Sequence, residues 1–178
     1  QDIDDRWYRL VQRHRSPPLD IASRLLDLAL GTTVDWTVRM TVTARLIRDR
    51  RWQAMASWSA TIALGEVSIG PLKGRIARPR PAGPLVGTTM TAYPSGHAIA
   101  AATTCPGVVI ALLPAGRGRD RYLEAAVTVA AATALSRTYL NAHWLSDVVG
   151  GFCLGTGFSL LAPHIVDSIA VSSRRRGG

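Results

Sequence analysis

Lysine, cysteine, aromatic residues and strand-like alternation are all scarce in this chain of 178 residues. One lysine, Lys73, stands among 21 lysines and arginines combined, so the cationic charge is almost entirely arginine. Aromatics make up only 6%, and the 47% of hydrophobic residues are mostly Ala, Leu and Val, a composition common in helix-rich proteins. No segment alternates apolar and polar residues for more than a few positions, which excludes a half-buried sheet and predicts an all-α helical bundle. No repeat, low-complexity tract or Gly/Ser linker divides the chain, so residues 1–178 read as a single domain. Cys105 and Cys153 both fall in apolar stretches and read as small buried hydrophobes, which establish no oxidising compartment. No cluster of His, Cys, Asp and Glu has metal-ligand spacing, so neither a metal nor another cofactor is expected.

The formal charge of +9 raises the question of an anionic partner. A nucleic-acid surface would gather arginines on one face with aromatics between them. Here they fall in short clusters between apolar stretches: Arg13 and Arg15, Arg45 to Arg51, Arg75 to Arg80, Arg117 to Arg121, and Arg174 to Arg176. That is how a polytopic membrane protein distributes its charge, so the bilayer is the expected partner and nucleic acid is not.

Six segments follow along the chain. Residues 1–18 predict an interfacial amphipathic helix, with Trp7, Tyr8, Leu10 and Val11 as its apolar positions and Ser16-Pro17-Pro18 as its stop. Residues 19–170 form the helical core, and 171–178 a basic tail. Within the core, one segment runs from Leu19 to Leu46 and carries Arg24, Asp27, Asp35 and Arg39. Another runs from Trp52 to Leu72 with Glu66 as its one interior charge, followed by a Gly/Pro/Arg-rich loop from Lys73 to Tyr93. Ala98 to Leu113 is uncharged, with Pro106 predicting a bend. After a basic loop at Gly116 to Arg121 come an alanine-rich segment, Tyr122 to Tyr139, and a glycine-dotted one from His143 to Ala170. In the last, Gly151 and Gly155 are four apart and predict close helix packing. Taken as spans, these segments number about five. They put the basic clusters on one side, cytoplasmic by the positive-inside rule, and leave the Lys73 to Asp147 residues outside. An odd number of spans also implies a further N-terminal helix ahead of Gln1, and no cleavable signal pattern precedes that residue.

The residues that carry chemistry come in three groups: Lys73 with Arg80-Pro81; Pro94-Ser95-Gly96-His97; and Ser136-Arg137 with His143 and Asp147. Fixed cations, a hydroxyl beside a glycine, two histidines and a carboxylate meet the needs of phosphoryl transfer. Positioning and charge stabilisation on the phosphoryl oxygens supply most of that catalysis. His143 and Asp147, four apart at a helix start, share one face. A carboxylate on one ring nitrogen sets the tautomer, so the other nitrogen can present its lone pair. Ser95, Gly96 and His97 open a helix whose first amides suit an anion. Lys73, Arg80 and Arg137 supply a compact charge and two planar forks. Arg78-Pro79 offers a competing register to Arg80-Pro81. His14 and His164 belong to no group and read as structural.

Eleven specified residues at these spacings resemble the signature of the type-2 phosphatidic acid phosphatase superfamily, over about two-fifths of the chain. The superfamily's spacing selects Arg80 over Arg78, leaving Arg78 as a helper or surface charge. The resemblance implies His143 as nucleophile forming a phosphohistidine, Asp147 as its orienter and His97 as proton donor to the leaving oxygen. It implies Lys73, Arg80, Ser95, Gly96 and Arg137 as the phosphate-binding set. The expected function is a metal-independent, integral-membrane phosphatase acting on a lipid phosphate or diphosphate, such as a polyprenyl phosphate or diphosphate, phosphatidic acid or phosphatidylglycerophosphate. The active site is expected on the extracytoplasmic face of the cell membrane. The alternative is a soluble or periplasmic class A-type acid phosphatase on small phosphoesters. A vanadium haloperoxidase would need a far longer chain, and a non-catalytic scaffold would be expected to have lost one of these side chains.

Overall fold

A computed structural model describes residues 2–176, and their side chains through residue 172. Seven helices and no strand occur among the described residues: α1 (Asp2–Arg13), α2 (Pro17–Ala29), α3 (Thr32–Arg48), α4 (Trp52–Ile76), α5 (Gly96–Leu112), α6 (Arg117–Tyr139) and α7 (Leu145–Arg176). The all-α expectation holds. The uncharged α5 is the axis of the bundle, with α3, α4, α6 and α7 packed around it, while α1 rests on α6 and α7 and α2 on α6. The end of the tail, beyond residue 176, lies outside the described residues.

Several boundaries differ from the sequence reading. The segment from Leu19 to Leu46 is two helices, because the chain turns at Leu30 and Gly31, where a Cβ would stand 2.7 Å from the Asp27 carbonyl oxygen. Pro17 and Pro18 open α2, where a missing N–H costs nothing. Lys73 belongs to the last turn of α4 rather than to a loop; that helix closes on Ala77, whose amide reaches the Lys73 carbonyl at 2.9 Å. Arg117 to Arg121 form the first turn of α6, not a loop. Pro106 lies inside α5, which continues through it to Leu112.

The bundle buries Leu46, Trp58, Ile99 and Leu140 among many small or polar residues such as Ala98, Ala102, Thr103, Ala134 and Ser159, while Leu64, Val67, Val129, Leu160, Leu161, Ile165 and Ile169 are exposed. Small residues let helices approach: a Cβ on Gly151 would stand 2.7 Å from the Ser95 carbonyl oxygen, and one on Gly155 would stand 2.7 Å from both Ala102 Cβ and the Ile99 carbonyl oxygen. That is how helices associate where lipid removes the hydrophobic drive between them. Three charges of α3 and α4 compensate one another, two of them buried and Glu66 reaching in from the surface. Arg39, 1% exposed, pairs with Asp35 at 2.8 Å and Glu66 at 2.5 Å, and donates to Thr104 at 2.9 Å and Thr103 at 3.2 Å. By length and composition, α7 over Leu145–Ser172 is apolar enough to cross a membrane among the described residues, and α5 is a shorter apolar helix.

The basic ends gather at one pole. Arg50, Arg51, Arg119 and Asp167 line one cavity there, and Arg51 donates to the Leu112 carbonyl at 3.1 Å. The three residue groups singled out above lie at helix ends of the other pole, at the C-termini of α4 and α6 and the N-termini of α5 and α7.

Close helix contact makes a sharp prediction. Gly155→Leu should destabilise the protein by about 1–3 kcal/mol through overpacking against α5. Gly157→Leu, where nothing lies within 4 Å of an added Cβ, should not. Thermal unfolding of both variants in detergent measures the difference.

Candidate active site

The nucleophile candidate owes its position to the end of α6. Leu140 caps that helix, and Asn141 follows in the left-handed region at φ 54°, a conformation asparagine tolerates better than most residues. The Asn141 amide bonds the Thr138 carbonyl at 3.1 Å, and the Ala142 amide bonds the Arg137 carbonyl at 3.0 Å. These two bonds make a Schellman motif. The next amide, of His143, also reaches the Arg137 carbonyl, at 3.3 Å. One arginine therefore supplies a candidate phosphate-binding fork and anchors the histidine loop through its backbone. The Asn141 side chain is held as well, accepting from Gln12 at 2.7 Å and donating to the Gly83 carbonyl at 3.2 Å.

His143 is buried, with its two ring nitrogens in different company. Nε2 lies 3.1 Å from an Arg80 guanidinium nitrogen, and Nδ1 faces Asp147 Oδ2 at 3.7 Å, beyond hydrogen-bond length. Nδ1 has no hydrogen-bond partner. Burial is the main force pushing the imidazole below the ordinary histidine value. Asp147 opposes it, and the Arg80 and Arg137 cations add to it. The neutral imidazole, with a lone pair to offer, is the favoured form.

Asp147 is fully buried in the first turn of α7. Its Oδ2 accepts the Trp144 amide at 2.8 Å, reaching back over the helix start as an N3 carboxylate does. Its Oδ1 accepts from Arg78 at 2.9 Å, and its backbone carbonyl receives the Ser95 amide at 3.0 Å. Arg78 is thus no loose surface charge. It donates to Asp147, to Ser146 Oγ at 2.6 Å and to Asp4 Oδ2 at 2.7 Å, while its guanidinium lies over the Trp144 ring. Asp4, buried on α1, also accepts the Ser146 amide at 2.8 Å.

Arg80 is the arginine that reaches His143. It is fastened by backbone carbonyls of its own loop, donating to Met90 at 3.1 Å, Thr89 at 2.8 Å and Thr91 at 3.4 Å, and by the Ala142 carbonyl at 2.5 Å. Lys73, also buried, donates to the Thr91 carbonyl at 2.6 Å, and the Thr91 hydroxyl returns a bond to the Lys73 carbonyl at 3.0 Å. Lys73 and Arg80 therefore converge on one carbonyl oxygen.

Ser95 is fully buried and caps α5, its Oγ accepting the Ala98 amide at 3.4 Å. Accepting that amide leaves the hydroxyl's own O–H free to donate. The first amides of α5, including those of Gly96 and His97, have no acceptor within the helix by its geometry. His97 lies within electrostatic reach of Arg137, Arg80 and His143. Its Nε2 is 3.7 Å from Asp27 Oδ1, and the same Asp27 oxygen receives a guanidinium nitrogen of buried Arg137. A cavity of about 180 Å³ opens beside His97 and Gly96, walled by Leu30, Trp36 and Ile69 with Glu66 at its side.

The structure brings His143, Asp147, Arg80, Lys73, His97 and Arg137 to one pole. It adds three residues that sequence reasoning missed as site members: Asp4, Arg78 and Asp27. Only Arg78 carried a local signal, its place beside the selected Arg-Pro pair. Of the unassigned histidines, His14 bonds its own helix at the Leu10 carbonyl, and His164 lies in α7. Among the described residues no group of three His, Cys, Asp or Glu side chains is placed to hold a metal ion.

The family model of the PAP2 superfamily matches residues 54–169, a stretch that contains every residue from Lys73 to Asp147. A phosphatidylglycerophosphatase B of Bacillus subtilis (strain 168) is 39% identical over 90 residues, which cover 47% of this chain and 44% of that protein. The match thus spans less than half the length of that relative. Among solved structures, a transmembrane PAP2 type phosphatidylglycerolphosphate phosphatase from Bacillus subtilis superposes with a TM-score of 0.80 at 25% identity, covering 95% of this chain and 87% of that one. LpxE of Aquifex aeolicus shares the fold, with a TM-score of 0.71 at 20% identity over 88% of this chain and 92% of its own. With a family match running over more than half its length and across every residue from Lys73 to Asp147, the chain belongs to the PAP2 superfamily.

Proposed function

We propose that this chain is a multi-pass membrane phosphatase that hydrolyses a lipid phosphate or diphosphate through a phosphohistidine on His143. The carrying observation is the pair of contacts on that imidazole: Nε2 at 3.1 Å from the Arg80 fork, and Nδ1 facing a buried carboxylate. A phosphoryl group held by Arg80, Lys73 and Arg137 would present phosphorus to Nε2, and these cations would take up charge on its oxygens. As Nε2 bonds to phosphorus the ring becomes cationic, and Asp147 stabilises it from Nδ1. His97 donates a proton to the leaving oxygen, and then takes one from the water that cleaves the P–N bond, returning His143 and releasing phosphate. The amides that open α5 face the same anion.

The substrate class follows from where the pocket lies. The site sits at the pole of a bundle whose flanks expose leucine, valine and isoleucine, and a cavity lined by Leu30, Trp36 and Ile69 together with Asp35 and Glu66 adjoins the proton donor. A lipid can keep its chains along the flanks while its phosphate enters the pole. The exposed apolar flanks favour this reading over a soluble acid phosphatase. Within the lipid class, the relatives named for phosphatidylglycerophosphate favour that head group over polyprenyl or phosphatidic acid substrates. The arginine-rich pole at Arg50, Arg51 and Arg119 supports a cytoplasmic placement for that end and an extracytoplasmic one for the catalytic pole.

Purified protein should release phosphate from lipid phosphates in EDTA and be inhibited by vanadate. His143→Ala should abolish release, about 10³-fold or more as for loss of a covalent nucleophile, and His14→Ala should leave it intact. A phosphate-release assay over a panel of lipid phosphates and diphosphates reads both; undiminished turnover by His143→Ala would sink the nucleophile assignment. The lowered His143 pKa places the acid limb of kcat/KM below the ordinary histidine value near 6.5, because only the neutral ring attacks. Asp147→Asn removes the one group holding that pKa up, so the limb should move to still lower pH while kcat falls. Rate profiles from pH 4 to 8 measure it. Arg78→Ala should lower kcat by about 10–100-fold with little change in KM, since Arg78 positions Asp147 rather than phosphate. Steady-state kinetics on the two parameters separates these cases.

A further inference from the structure

We infer that Asp27 is an internal competitor for the phosphate seat: its carboxylate fills the anion position between Arg137 and His97 in the free protein, and substrate must displace it. The inference rests on the phosphatase reading of this pocket and adds a residue that the reading does not use.

The geometry is specific. Asp27 Oδ1 pairs with the buried Arg137 guanidinium and lies 3.7 Å from His97 Nε2. A phosphoryl oxygen on its way from the Arg137 clamp to the proton of His97 would need the same place. Two anionic oxygens cannot share it, since like charges at such a distance repel strongly. The side chain is delivered by α2, which packs on α6, the helix of Arg137. On α2, Ser23 and Asp27 are one turn apart on the protein side, while Ile21, Leu25 and Leu28 are exposed. The carboxylate is only partly enclosed, with a side-chain exposure of 25%, so it can swing out without unfolding the helix.

Displacement subtracts the same free energy from every incoming anion. It leaves the ratio of affinities between two ligands unchanged, but it lowers the occupancy of each. A phosphomonoester dianion, gripped by Lys73, Arg80 and Arg137, still fills the site. A phosphodiester monoanion, the head-group charge of bulk phospholipid, is held more weakly and falls below the threshold. The same carboxylate, returning to Arg137 after turnover, helps expel product phosphate from a pocket that would otherwise retain it.

The test is direct binding and product inhibition with inorganic phosphate, using full-length protein in detergent. Asp27→Asn keeps the shape and removes the charge, and Asp27→Ser is a second variant. Both should bind phosphate about tenfold more tightly, the scale of a close charge pair. In both, KM should fall, kcat should not rise, and dimethyl phosphate should become a measurable competitive inhibitor. In the unmodified protein, added phosphate should speed amide exchange along α2 as its tie to Arg137 is released. Phosphate affinity unchanged or weaker in both variants would overturn the inference while leaving the phosphatase reading standing. Failure of the unmodified protein to bind phosphate or turn over any lipid phosphate would strike that reading instead.

Discussion

One fully buried carboxylate holds the three residue groups in register. Asp147 takes the Trp144 amide on one oxygen and Arg78 on the other, receives the Ser95 amide on its backbone carbonyl, and faces His143 Nδ1. A carboxylate with no solvent is tolerable only when its lone pairs are occupied by donors, and here they are. The start of α7, the start of α5 and the loop after α4 therefore meet at one residue. Arg78 extends the tie through Ser146 to Asp4, so that even the N-terminal helix is fastened to the same point.

The bundle below that point is packed largely through small residues. Alanine, glycine, serine and threonine make many of the contacts around α5, and many large aliphatic side chains, Leu160, Leu161 and Ile165 among them, face outward. Arg39 with Asp35 and Glu66 is a charge cluster kept between helices, where its members satisfy one another and two threonine hydroxyls. Hydropathy scores such residues against a span regardless of direction, which is why α3 and α4 read poorly as linear segments.

The sequence made the helical class and the main pocket members legible because each group is local: Lys73 and Arg80 within one stretch, Ser95 to His97 contiguous, Arg137 to Asp147 within three turns. What it hid was long-range or geometric. Asp27 meets Arg137 across 110 positions and Asp4 meets Ser146 across 142, and neither sits in any pattern. Arg78 looked redundant beside Arg80 because spacing tells which arginine is in register but not what the other one touches. Boundaries failed for a different reason. Arg117 to Arg121 read as loop from charge alone, and the turn at Gly31 was marked by a lone glycine with no proline between Leu19 and Leu46.

The Schellman turn at Asn141 has a mechanical effect. Because the Arg137 carbonyl receives the Ala142 and His143 amides, the Arg137 guanidinium and the His143 imidazole are carried by the same end of α6. A tilt of α6 would carry both along together, so the distance between them is insulated from movement of that helix.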